Sequence, residues 1–350
     1  MATGARDGQI CLWDASTGRR RAAWRAGRGL VSGLAFSRDG RRVVDEISYP
    51  PNLFFRHKKT DQAQSQVWDV RTHRLRWSCP SNGLEGGAAL SPDGRLLAVS
   101  CPVTYYGRPH RSGRRVTREA HVGGGVRVWD WAARRPVRTL RLKTKAFYLP
   151  GEANGDVEFD LPDKVNGLRF SPDGRMLAGS AEWDGNCGSV CRLQRWCLPS
   201  GRRAHLGPMT EEEDKAAQCP AFPARGGALG AVHWDQVWLW DARTGEPRRV
   251  LEAGERRSEF LSSLAFSPDG RRVAAGVEYN PWLKVWDART GRRLCRIPTR
   301  GDVTSVAFSP DSRTLAAGSG DGWLEIWPVR RVTAAAPRSA SSPSRRGGRG

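Results

Sequence analysis

A strand-like run ending in tryptophan recurs seven times along these 350 residues, and no other feature restricts the fold as much. The copies read ICLWD (10–14), QVWD (66–69), VRVWD (126–130), LQRWC (193–197), VWLWD (237–241), LKVWD (283–287) and LEIWP (324–328). Their tryptophans are Trp13, Trp68, Trp129, Trp196, Trp240, Trp286 and Trp327. The last three intervals are 44, 46 and 41 residues, the length of a repeating unit of four short strands; the first three, 55, 61 and 67, require insertions. A second element precedes each tryptophan after the first: AFSRDG (35–40), ALSPDG (89–94), RFSPDG (169–174), AFPARG (221–226), AFSPDG (265–270) and AFSPDS (307–312). This is tight-hairpin chemistry. Proline fixes φ early in the turn, aspartate bonds nearby backbone, and glycine takes the positive φ. Each unit therefore reads strand, tight turn, strand, variable loop, Trp strand, turn, strand.

Such a sheet cannot stand alone. In LKVWD, Leu283 and Val285 point one way and Trp286 the other, so both faces carry apolar groups and both need cover. Stacking the sheets radially provides it. A tryptophan buried this way removes ~150–250 Å² from water, worth roughly 4–6 kcal/mol as an upper estimate. The seven tryptophans are accordingly read as architecture.

These Trp strands and SPDG turns resemble the WD-repeat (WD40) family across about residues 1–330, and the SPDG-rich repeats look most similar to bacterial members. The resemblance implies an all-β, seven-bladed β-propeller. One family feature is missing. Many blades of the family carry a Gly-His pair whose histidine bonds an aspartate in the turn before the Trp strand. Candidate turn aspartates stand at Asp7, Asp184, Asp235 and Asp321, yet no Gly-His pair occurs. Blades 4 and 5 depart furthest, with Trp196-Cys197 for Trp-Asp and AFPARG for AFSPDG, so lower local stability is expected there.

Aligning LAAGSGDGWLEIW (315–327) with MATGARDGQICLW (1–13) matches the repeats in phase from Met1. The first blade is therefore expected to lack its innermost strand, and RRVTAAAP (330–337) can add only an outer strand to blade 7. Either the native protein is longer or blade 1 has three strands. The longer protein is preferred, because an uncovered inner edge invites aggregation. The expected organisation is a propeller over 1–330 and a disordered Arg/Ser/Gly-rich tail over 331–350.

The formal charge is +21, from 57 basic and 36 acidic residues. Only seven of the basic residues are lysine, and an arginine skew with abundant glycine and alanine reads as GC-rich coding more than as a nucleic-acid footprint. No run approaches the ~20 apolar residues of a membrane helix, and no secretory leader is recognisable at Met1. Eight cysteines follow no disulfide pattern, so free thiols in a reducing compartment, the cytoplasm, are expected. Cys187, Cys191, Cys197 and Cys219 invite a zinc reading, but Cys191 and Cys197 fall on one extended strand, too far apart to share an ion. No nucleophile–base pattern or phosphate-cradling loop occurs, and GGG at 123–125 reads as a loop. No cofactor, no metal and no catalytic residue are expected.

Function should sit where the loops vary. In this topology the loops between second and third strands and the connections between blades emerge on one face, called the top. All long insertions belong to it, and their charges are sorted. Blade 2 contributes Arg56, His57, Lys58 and Lys59; blade 3 contributes Arg108, His110, Arg111, Arg114, Arg115 and Arg118. The connection into blade 4 carries Glu152, Asp156, Glu158, Asp160 and Asp163, and that into blade 5 Glu211, Glu212, Glu213 and Asp214. Tyr49, Tyr105, Tyr106, Phe147 and Tyr148 lie in or beside these loops as aromatic anchors. A scaffold that docks a protein partner through a charge-complementary top face is the leading expectation. A nucleic-acid-binding propeller using the basic loops and tail is one alternative. The regulatory propeller of a longer protein such as a kinase is the other.

Overall fold

The computed structural model describes residues 1–48, 63–81, 87–106, 110–112, 115–117, 120–142, 145–148, 157–160, 164–185, 188–204, 206, 217–225, 227–252 and 260–330. Seven antiparallel sheets are arranged as a β-propeller. Blade 1 comprises β1 (Ala2–Gly4), β2 (Gln9–Trp13) and β3 (Arg20–Arg25); blade 2 comprises β4 (Leu30–Phe36), β5 (Arg42–Ser48), β6 (Gln64–Asp69) and β7 (Leu75–Pro80). Blade 3 opens with β8 (Ala88–Leu90) and β9 (Leu96–Tyr106). After an inserted hairpin, β10 (His110–Ser112) with β11 (Arg115–Thr117), it continues with β12 (Ala120–Asp130) and β13 (Arg135–Leu140). A second small hairpin, β14 (Lys145–Tyr148) with β15 (Val157–Asp160), lies in the connection to blade 4. That blade holds β16 (Lys164–Phe170), β17 (Met176–Gly185), β18 (Gly188–Cys197) and β19 (Arg202–Arg203). Blade 5 follows as β20 (Ala217–Ala221), β21 (Ala228–His233), β22 (Gln236–Asp241) and β23 (Pro247–Glu252). Blade 6 is β24 (Leu261–Phe266), β25 (Arg272–Val277), β26 (Trp282–Asp287) and β27 (Arg293–Pro298); blade 7 is β28 (Val303–Phe308), β29 (Thr314–Ser319) and β30 (Leu324–Pro328).

The SPDG turns close as their chemistry dictates. In blade 2 the Ser37 hydroxyl donates to Asp39 Oδ1 at 2.5 Å and accepts the Arg42 amide at 2.9 Å, while Gly40 N–H reaches Ser37 O at φ +68°. The same serine–aspartate pair recurs at Ser91, Ser171, Ser267 and Ser309. A second repeated device follows the Trp strand, where Asp69 Oδ1 accepts the amides of Arg71 and Thr72 and its other oxygen holds Arg42 (2.8 Å) and Arg76 (3.0 Å). These hydrogen bonds hold the Asp69 carboxyl well below the usual range, as they do at Asp14. Just before the tryptophan in β2, β6, β12, β22 and β26, the pairing to the outer strand slips by one residue, a recurrent β-bulge that re-aims the ring.

The Trp strands of blades 2 to 7 turn their rings toward the preceding blade. Trp286 packs with Val237, Leu239 and Leu251 of blade 5; Trp196 with Val126, Val128 and Leu140 of blade 3; Trp240 with Ala178 and Leu193 of blade 4. All three rings are fully buried. Apolar clusters of this kind join six successive pairs of blades, from Ile10 and Trp68 at blades 1 and 2 to Leu283, Val285 and Leu315 at blades 6 and 7. Among the described residues none joins blade 7 to blade 1, and Trp13 and Trp327 are only half-buried. Blade 1 has three strands among the described residues, with β1 at its edge. The 330–337 segment expected to extend blade 7 and the 331–350 tail lie outside the described residues from 331 onward.

One local expectation is corrected. Residues 102–124 of blade 3 were to form a loop, with Gly123–Gly125 inside it. Instead β9 and β12 run on in register, from Asp130↔Leu96 to Ala120↔Tyr106. The β-branched stretch Val103-Thr104 favours pairing, and the glycines permit it: a Cβ on Gly125 would stand 2.5 Å from Val103 Cγ2.

Candidate interaction face

The top face is built by hairpins that project beyond the blades. In blade 3 Tyr105 pairs with His121 and Tyr106 with Ala120, and the β10–β11 hairpin beyond them pairs Arg111 with Val116 and Arg115 with Ser112. Arg111 and Arg115 thus lie on facing strands, one register step apart. In β14–β15 Phe147 pairs with Glu158 and Tyr148 with Val157. Blade 4 extends as well, β17 and β18 pairing out to Gly185↔Gly188. The remaining candidates, Arg56, His57, Lys58, Lys59, Arg108, Arg114, Arg118, Glu211, Glu212, Glu213 and Tyr49, lie outside the described residues.

In β5 of blade 2 sits a buried pair of carboxylates, Asp45 and Glu46. The Trp68 indole donates to Asp45 Oδ1 at 3.0 Å, and Gly87 N–H donates to Glu46 Oε2 at 2.6 Å across the seam to blade 3. Burial raises Asp45 to about 7 against the Trp68 bond that favours its charged form. Two buried thiols are held in the protonated form by the same cause: burial first, and then the neighbouring Cys101 and Glu46, push Cys79 up to about 12, and burial pushes Cys295 up to about 11.

Sequence reasoning missed the other half of this face. The second-to-third-strand turns of blades 5, 6 and 7 are short, and each presents a large aromatic to solvent: Trp234 at 54% exposure, Tyr279 at 75% and Trp323 at 50%. Trp234 and Tyr279 hold φ of +52° and +55°. Beside Trp234 lies Phe260, ring centroids 5.3 Å apart, and these two line an open cleft of about 420 Å³ with His233, Asp235 and Gln236. The signal was legible in HWDQ, YNPW and DGW: each puts an aromatic among turn-forming Asp, Asn and Gly, outside the seven Trp-strand positions.

Among the described residues no group of three His, Cys, Asp or Glu side chains is placed to hold a metal ion, and Cys191 and Cys197 share β18. No described helix is long and apolar enough to cross a membrane.

With this geometry established, comparison with known proteins gives two findings. The family described as WD domain, G-beta repeat matches residues 158–187, 245–287 and 292–328, so the chain carries WD40 repeats on a seven-bladed propeller. The chain is also similar to telomerase protein component 1 of Rattus norvegicus, 22% identical over 370 residues, and of Mus musculus, 23% identical over 313 residues. These alignments take in 94% and 79% of this chain but only 12% and 10% of the relatives, so the chain spans about a tenth of their length.

Proposed function

We propose that this protein is a non-catalytic WD40-repeat scaffold that binds a protein partner through the top face of the propeller. The observation that carries the reading is the asymmetry of the loops. Blade 3 and the connection to blade 4 carry the β10–β11 and β14–β15 hairpins at the same ends of the strands that expose Trp234, Tyr279 and Trp323. Exposed aromatics beside charged hairpins are what a protein interface uses for anchorage and orientation. Relatives with telomerase in their name do not direct the reading toward nucleic acid, since the alignments take in only about a tenth of their length. Free cysteines, four of the seven described ones buried, fit a cytoplasmic site of action, and the SPDG turns fit a bacterial type of repeat.

The test is co-purification with and without charge reversal of Arg111, Arg114 and Arg115. Loss of a partner at unchanged thermal stability supports docking on this face. A partner set that ignores these changes, and ignores changes at Trp234 and Tyr279, would falsify the reading.

A further inference from the structure

The short turns of blades 5 to 7 form one continuous strip. Trp234 O accepts the Leu261 amide at 2.8 Å, and Phe260 O accepts the Glu278 amide at 2.7 Å, so the blade 5 turn, Phe260 and the blade 6 turn run side by side. Tyr279 follows Glu278 in the blade 6 turn, and Glu278, burial and then Asp302 push its phenol up. Asp302 O in turn accepts Gly320 N–H at 3.2 Å, and Arg300 N–H donates to Glu325 Oε2 at 2.9 Å, joining the strip to the turn that carries Trp323.

Two properties of this strip define its ligand. The first is charge: Asp235, Glu278, Asp302, Asp321 and Glu325 line it, although the whole chain carries +21. Among the described residues, Arg296 and Arg300 stand over its rings. The second is what those arginines do. Arg296 lies over the Trp282 ring at 3.8 Å and Arg300 over Trp323 at 4.5 Å. The rings here are already used as guanidinium platforms. The Trp234–Phe260 cleft repeats the same elements, an aromatic wall with a carboxylate at Asp235, and no described guanidinium lies over Trp234. At about 420 Å³ it is roomy enough for an arginine side chain.

We propose that this strip docks an arginine-rich, extended segment of a partner protein. One guanidinium seats between Trp234 and Phe260 opposite Asp235, and the following basic residues run past Tyr279 toward Glu278 and Asp302. Cation–π contact and local carboxylates act at short range, where the repulsion of the distant positive charge is screened beyond ~8 Å at physiological salt. This inference rests on the scaffold reading and sharpens it to one sector and one partner chemistry.

The probe is a fluorescein-labelled arginine–glycine repeat peptide titrated onto the full chain and followed by anisotropy. A glutamate–glycine peptide and a single-stranded RNA of equal length serve as comparators. The arginine peptide should bind and the glutamate peptide should not. Asp235→Asn should weaken the arginine peptide several-fold, Trp234→Ala with Tyr279→Ala about tenfold or more, and Trp234→Phe little. Asp235→Asn is a near-isosteric exchange at a half-buried turn residue, so it keeps the test decisive if the double variant does not fold. Equal binding by wild type, Asp235→Asn and Trp234→Ala overturns the proposal, as does RNA that outcompetes the peptide at this strip. Arg111→Glu with Arg115→Glu should leave the peptide titration unchanged. If those substitutions abolish partner co-purification while the strip variants leave both peptide and partner binding unmoved, the scaffold reading stands and this inference alone fails.

Discussion

Blades 6 and 7 carry nearly the same Trp-strand sequence, yet their outward faces are packed very differently. Leu283 and Val285 of blade 6 are buried against Leu315 and Phe308 of blade 7. Their counterparts in blade 7, Leu324 and Ile326, are only half-buried. The inner strands repeat the contrast: Ser263 is buried and Ala265 half-buried, whereas Ser305 and Ala307 are exposed. The apolar pattern is not the cause, since leucine, a β-branched residue and tryptophan stand at the same positions of both Trp strands, and serine and alanine at the same positions of both inner strands. A blade's apolar face becomes core only when a neighbouring blade covers it, so stability here belongs to pairs of blades.

That contrast can be broken by substitution. The largest effect is expected at Trp286→Ala, which removes a fully buried ring and its indole bond to Glu252 O (3.0 Å); urea unfolding should show a loss of about 3–5 kcal/mol. Trp13→Ala, at a half-buried ring, should cost about half as much or less. Next comes the leucine pair. Leu283→Ala should cost about 2–3 kcal/mol and Leu324→Ala about 1 kcal/mol, because only the first leaves a closed cavity. Equal costs in this pair would mean that blade 7 is covered as well as blade 6.

A titration sharpens the picture at the seam between blades 1 and 2. Asp45 is raised to about 7 in the folded protein from 3.8, so its buried charge destabilises the fold at pH values above about 7. The penalty shrinks as pH falls from about 7 toward 3.8. Thermal melts should therefore show Asp45→Asn stabilising the chain relative to wild type at pH 8, by on the order of 2 kcal/mol, and much less at pH 5. Asp241, in the exposed turn of blade 5, has the opposite sign: hydrogen bonds hold it at about 2, so its contribution is present above 3.8 and lost as pH falls through about 2.

The smallest effect separates two glycines at one position of the repeat. A Cβ on Gly276 would stand 2.5 Å from Val303 Cγ1 in the next blade, while one on Gly318 would meet only the Ser305 hydroxyl, at 2.9 Å. Gly276→Ala should cost about 1–3 kcal/mol by overpacking, and Gly318→Ala should shift the midpoint by less than about 0.5 kcal/mol.

Much of this architecture was legible in the chain. Seven Trp strands in phase with six hairpin turns prescribe blades, and the half-turn alternation of Leu283, Val285 and Trp286 prescribes two apolar faces. Strand extent was less legible: Gly123–Gly125 reads as a loop by propensity, and only the cross-strand partner Val103 shows why the strand continues through it. The face itself was half legible. Charge sorting drew attention to the long insertions of blades 2 to 4, while Trp234, Tyr279 and Trp323 went unread. Their signal lay in the turn-forming neighbours Asp235, Asn280 and Gly322, and was outweighed by the seven tryptophans that read as architecture.

Hydrogen exchange followed by mass spectrometry tests the pairwise origin of stability most directly, since it reads every blade in one experiment. The amides of β24, β25 and β26, covered on both sides, should exchange orders of magnitude more slowly than those of β28, β29 and β30 and of β1 and β2. Uniform protection across blades 1, 6 and 7 would contradict the account.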